Sequence, residues 1–183
     1  LLKRWNKISE EIINRNSHWT YKLDKFEIEP NGKGEYHYVH TNGSTLIIPI
    51  LPSKKILLVN QFRYLIQKEA LEFSCGVLEE NLTIHENAQK ELREETGYEA
   101  KNLELVASFV PYSGVSNEIC YVFVAWNLKN NPLKPDENEE FELLEYSFEE
   151  IENLIENNVL TDGMTLAAWS LSKKKIIEII ANL

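Results

Sequence analysis

An α+β fold follows from three features of this 183-residue sequence. Short apolar runs bounded by turn residues crowd its first half. One strongly capped helical stretch, 84–96, interrupts them. Three further strand-like runs then precede two helical segments near the end. Strands first, one central helix, more strands and two late helices is an α+β order. The length suits one domain, or one domain with an additional N-terminal sheet.

Ile8 to Ile13 is ambiguous between helix and strand by periodicity. Trp19-Thr20-Tyr21-Lys22-Leu23-Asp24 alternates as a half-buried strand should. Pro30-Asn31-Gly32-Lys33-Gly34 is a turn, and Glu35 to His40 completes a hairpin. After a second turn at Asn42-Gly43, Thr45 to Leu51 and Ile56 to Gln61 are nearly continuous apolar runs, expected as strands buried on both faces. Ala70 to Phe73 is a short strand. Leu103 to Val110 and Ile119 to Trp126 are two more, and Asn127 to Glu140 is expected to be a loop. Phe141 to Tyr146 is a strand, Ser147 caps a helix over Phe148 to Asn157, and Asp162 begins the last helix. The boundaries expected are 1–43 for an N-terminal β subdomain and 44–183 for the main domain.

Composition excludes some classes. A formal net charge of -10 is the wrong sign for sequence-independent nucleic-acid binding. No apolar run approaches a membrane span. No apolar segment follows Leu1-Leu2-Lys3-Arg4, so no signal peptide is expected there. Cys75 and Cys120 form no C-x-x-C pattern and suit reduced core residues of a cytoplasmic protein. The four histidines show no zinc spacing.

Gly76 to Tyr98 is the stretch that points to chemistry. Thr83 can cap a helix, Glu86 at N3 can close a capping box, and Gly97 suits the left-handed residue that ends it. Glu91, Glu94 and Glu95 then stand at i, i+3 and i+4 on one face. Like charges so placed repel by a few tenths of a kcal/mol, and the helix dipole disfavours anions in a C-terminal half. A divalent cation turns that repulsion into coordination, since hard cations take carboxylate oxygens. The plainer alternative is a solvated acidic face.

The stretch resembles the Nudix box, G-x5-E-x7-R-E-U-x-E-E-x-G-U, with U a bulky apolar residue. Gly76, Glu91, Leu92, Glu94, Glu95, Gly97 and Tyr98 match in register. Leu82 stands in place of the first Glu and Lys90 in place of the Arg. The similarity runs over nearly the whole chain and looks like the ADP-ribose pyrophosphatase branch of the Nudix hydrolases. It rests on Ile8-Ser9-Glu10-Glu11, Pro30-Asn31-Gly32, Gln61-Phe62-Arg63, Glu72-Phe73-Ser74-Cys75-Gly76, Ser108-Phe109 with Gly114 and Glu118, Glu137-Asn138-Glu139, and Thr161-Asp162.

The resemblance implies an α/β/α sandwich with mixed sheets and an N-terminal sheet used in homodimerisation. It implies Mg2+, with Mn2+ as a substitute, held by Glu91, Glu94, Glu95 and the backbone carbonyl of Cys75. It implies Glu139 as the general base, with Glu137 and the box glutamates Glu91 and Glu94 as rivals. Arg63 would contact phosphates, and Glu72, Glu118 and Ser113 would line the substrate shell. Trp19 of one subunit, with Tyr36 or His37 of the other, would sandwich a base. The reaction implied splits ADP-ribose, or a related nucleoside diphosphate sugar, into a nucleoside monophosphate and a sugar phosphate. Leu82 and Lys90 keep open a module that binds such nucleotides without turnover. Ser113, where such hydrolases commonly carry Pro, keeps open another substrate such as GDP-mannose or a dinucleoside polyphosphate.

Overall fold

The computed structural model describes residues 2–134 and 140–183. Its first three strands, β1 (Trp5–Arg15), β2 (Thr20–Ile28) and β3 (Gly32–His40), form an antiparallel sheet by themselves. The ambiguous Ile8 to Ile13 run lies inside β1. Register shifts between Lys7 and Ser9 and between Ile12 and Asn14 break its alternation, because a bulge inserts an unpaired residue. That is why no clean two-residue period was legible there.

The two apolar runs that look alike in sequence go to different sheets. β4 (Ser44–Pro49) joins β7 (Ser74–Val77), β9 (Cys120–Asn130) and β8 (Tyr98–Phe109) in the order β7-β4-β9-β8. Here β4 and β9 run parallel, and the other two pairs are antiparallel. β5 (Ile56–Arg63) instead lies between β10 (Glu142–Tyr146) and β6 (Lys68–Glu72). Two expectations need correction. The strand expected over Ala70 to Phe73 is β6, which starts earlier at Lys68 and ends at Glu72, and a separate strand, β7, follows Phe73. The loop expected from Asn127 begins later, because β9 continues to Asn130 by pairing with the polar start of β8.

Helices cover both faces of the four-stranded sheet. In β4, Ile47 faces α1 (Ile84–Thr96), where it meets Ala88, Leu92, Phe123 and Ala125. Its neighbours Leu46 and Ile48 face the other way, into a core shared with α2 (Phe148–Glu156) and α3 (Gly163–Asn182). Alternation of side chains along a strand produces this division. All these core residues are essentially inaccessible, so the result is a mixed-sheet α/β fold with three helices among the described residues. Among the described residues, no helix is long and apolar enough to cross a membrane.

α1 begins and ends where its caps dictate. Thr83 and Glu86 form the reciprocal capping box, and Gly97 adopts φ 76° with its N–H on the Arg93 carbonyl. Leu92 anchors the buried stripe, which aims the acidic face along the edge strand β7.

Candidate functional site

The site is built where α1 crosses the edge of the sheet. Among the described residues β7 pairs with β4 on one side only, so alternate backbone groups of β7 point off the sheet. The Cys75 N–H leaves the ladder and donates to Glu95 Oε2 at 3.1 Å. The N–H and C=O of one strand residue point the same way, so the Cys75 carbonyl turns toward the same acids. Its thiol is hydrogen-bonded to that of Cys120 and removed from water, which holds it well above the usual thiol range. What Cys75 offers the acids is therefore its backbone.

Gly76 explains itself by what lies over it. A Cβ built there would meet Glu91 Cδ at 2.1 Å and both carboxylate oxygens at 2.3 Å. The Glu91 carboxylate thus occupies the space that any other residue's side chain would fill. Glu95 is 8% exposed. Glu91, Glu94, Glu95 and Cys75 line one cavity of about 490 Å3, together with Glu79 and Glu80 from the turn before α1.

Lys90 takes up part of this charge. Its ammonium contacts Glu94, four residues on, at 2.5 Å and Glu79 at 3.2 Å. A guanidinium could grip one carboxylate with a fork, whereas an ammonium with three donors bridges two. Burial pulls the Lys90 pKa down, but hydrogen bonds to Glu94 and Glu79 outweigh it and hold the ammonium above its ordinary range. Asn87, which sequence reasoning missed, fixes the same turn. It is fully buried, donates to the Thr45 hydroxyl at 2.8 Å and accepts from the Glu79 N–H at 3.1 Å. Its place one turn before Glu91 was the only available signal.

The oxygen donors suit a hard cation. Among the described residues, no group of three or more His, Cys, Asp and Glu side chains is assembled as a ready metal cage. Mg2+ does not need one, since it is commonly held by one or two carboxylates with waters and substrate phosphates completing its shell. Glu91 over Gly76, Glu95 on Cys75 and the outward Cys75 carbonyl meet that lower requirement.

Other expected residues lie elsewhere. Arg63 donates through Nε to Glu72 Oε1 at 2.7 Å and through a second nitrogen to the other Glu72 oxygen. This bidentate pair lines a neighbouring cavity of about 650 Å3 beside the start of α3, and Cys75 borders both cavities. Glu118 is half-buried and accepts from the Ser44 hydroxyl at 2.6 Å. Ser113 is exposed on the loop after β8. Trp19 is 39% exposed, and His37 faces the Tyr21 hydroxyl at 3.0 Å on the N-terminal sheet. Glu137 and Glu139 lie outside the described residues.

Comparison with known proteins agrees with this geometry. A family model described as the NUDIX domain matches residues 40–166. The chain is 33% identical over 151 residues to the methanol dehydrogenase activator of Bacillus methanolicus, covering 80% of this chain and 82% of that protein. It is 32% identical over 168 residues to the ADP-ribose pyrophosphatase of Bacillus subtilis strain 168, covering 88% and 91%. A crystal structure of an ADP compounds hydrolase superposes with a TM-score of 0.86 at 20% identity, covering 97% of each chain, which establishes the shared fold. The matched domain spans the edge strand, the acidic helix and the glutamates beside them, and this chain belongs to the NUDIX family.

Proposed function

We propose that this protein is a divalent-metal-dependent pyrophosphohydrolase of nucleoside diphosphate sugars, with ADP-ribose the first substrate to test. The observation that carries the reading is the seating of Glu91 over Gly76 beside Glu95 on the Cys75 N–H. Glu91, Glu95 and the Cys75 carbonyl would hold Mg2+. Bound there, the cation supplies neutralisation of a diphosphate and a more acidic water. Glu94, held by Lys90 at the cavity wall, would orient water near the phosphorus. Glu139 remains the base that the resemblance assigns.

The similarity to an ADP-ribose pyrophosphatase supports the substrate. The test is a panel of nucleotide sugars incubated with Mg2+ and protein, with release of monophosphate measured. ADP-ribose should yield AMP and ribose 5-phosphate, and Glu95→Gln should abolish turnover. A wild-type protein that releases no monophosphate from any member of the panel sinks the reading.

A second reading has its own observation. Leu82 removes one carboxylate, and Lys90 occupies Glu94, which favours a module that binds nucleotide without consuming it. Calorimetry that finds tight binding, with the ligand intact after hours, would select this reading. Substrates such as GDP-mannose belong in the same panel.

A homodimer through the N-terminal sheet is part of the proposal. Every residue of β1 is exposed, including Trp5, Ile8, Ile12 and Ile13. Covering such a face removes apolar surface from water. Sedimentation equilibrium should give twice the chain mass, and a monomer at micromolar concentration would refute the dimer. In such a dimer Trp19 and His37 would flank the base.

A further inference from the structure

The cavity beside β7 is lined by residues of two unlike kinds. Glu79, Glu80, Glu91, Glu94 and Glu95 are acidic, with Lys90 already shared between two of them. A diphosphate brings several more anionic oxygens, and those turned away from a bound cation need hydrogen-bond donors. Arg63, the expected donor, lines the other cavity and has its fork on Glu72.

Other lining residues supply donors from outside the box. Ser17 and His18 reach it from the turn between β1 and β2, and Asn42 reaches it from just before β4. The turn is held in shape. Asn16 Oδ1 accepts from the His18 N–H at 2.8 Å and the Trp19 N–H at 2.9 Å, and the Asn16 N–H donates to the Trp19 carbonyl at 3.1 Å. Side-chain acceptance of this kind fixes turns. The sheet that carries the turn is tied to the loop before β9, with the Val39 N–H on the Val115 carbonyl at 2.8 Å and the Tyr36 hydroxyl on the Gly114 carbonyl at 3.2 Å.

We propose that this turn is the phosphate-facing wall of the site, with the His18 imidazole and the Ser17 hydroxyl binding phosphoryl oxygens of a nucleoside diphosphate. The N-terminal sheet then takes part in substrate binding through its own chain's turn, not only through contact with another subunit. This rests on the reading above that a diphosphate binds at these acids, and the probe is chosen to separate the two.

The probe is methylenediphosphonate with Mg2+, a diphosphate mimic that cannot be hydrolysed. The chain has four histidines, so 15N-histidine labelling gives few ring signals, and His18→Gln identifies that of His18. On saturation the His18 signal should shift. Those of His37, bonded to Tyr21, and His85, packed edge-on against Phe123 at 4.9 Å, should not. His18→Ala should weaken the probe roughly tenfold, the scale of one charge-assisted hydrogen bond. His18→Gln, which keeps a donor, should recover part of this, and Mn2+ binding without the probe should stay within about twofold. Probe binding with an unmoved His18 signal, or an unchanged affinity in His18→Ala, overturns the proposal. Failure of the wild-type protein to bind the probe overturns both it and the diphosphate reading. A shifted signal in a protein that hydrolyses no nucleotide supports the proposal while removing the catalytic reading.

Discussion

Replacing Gly76 by Ala separates the site from the fold. The new methyl carbon would stand 2.1 Å from Glu91 Cδ, whereas ordinary carbon contacts lie near 3.5–4 Å. The nearest atoms belong to the end of a flexible side chain, not to backbone, so the carboxylate is what gives way. It must retreat by roughly 1 Å or more. Gly76 has no positive φ, so the strand itself accepts Ala. Stability should therefore stay within about 1 kcal/mol of wild type, the ordinary scale for a permitted Gly-to-Ala change. The site should not tolerate the shift, since a misplacement of about 1 Å can cost on the order of a hundredfold in rate. That loss corresponds to about 2.7 kcal/mol of transition-state stabilisation. The assay pairs kcat/KM on the best nucleotide sugar with Mn2+ titration by electron paramagnetic resonance, and urea melts serve as the control. Wild-type turnover and wild-type Mn2+ affinity in a folded Gly76→Ala protein would refute the placement of Glu91 in the cation site.

Three further outcomes follow from the same geometry. Arg63→Ala leaves Glu72, whose side chain is 6% exposed, without its cation. Because the guanidinium is 47% exposed and screened by solvent, the expected loss is roughly 1–3 kcal/mol by chemical denaturation, less than for a fully buried pair. Leu92→Ala opens a cavity under α1, and urea melts should show a loss of about 2–5 kcal/mol. Lys90 has its folded pKa raised by Glu94 and Glu79 against the pull of burial. Its contribution is fully present below the ordinary lysine value of about 10.4 and is lost only as pH rises toward the higher folded value. The wild-type advantage over Lys90→Ala should accordingly be flat from pH 7 to about 10 and shrink above that, and a decline already at pH 8 would contradict the assignment.

Local chemistry made α1 legible. Thr83, Glu86 and Gly97 act within a turn of themselves, so their meaning survives in sequence. The acids at 91, 94 and 95 were legible as a cluster for the same reason. What they face was not, because the edge strand, the parallel β4–β9 pairing and the separation of β5 from β4 depend on distant partners. The resemblance gives Arg63 to phosphates and Glu72 to the substrate shell, yet no sequence feature announces that each is the other's partner. Their meeting comes from the β5–β6 hairpin, in which Arg63 opposes Lys68 and Val59 opposes Glu72. The place of His18 beside the acids is not legible in sequence, because it arises only when the N-terminal sheet docks on the 110–119 loop. The exposed β1 resisted reading because two bulges scramble its period.

The most direct test is anomalous diffraction from a crystal soaked in Mn2+. A peak bonded to Glu91, Glu95 and the Cys75 carbonyl is expected. Full Mn2+ density elsewhere, with those three groups unligated, would contradict it.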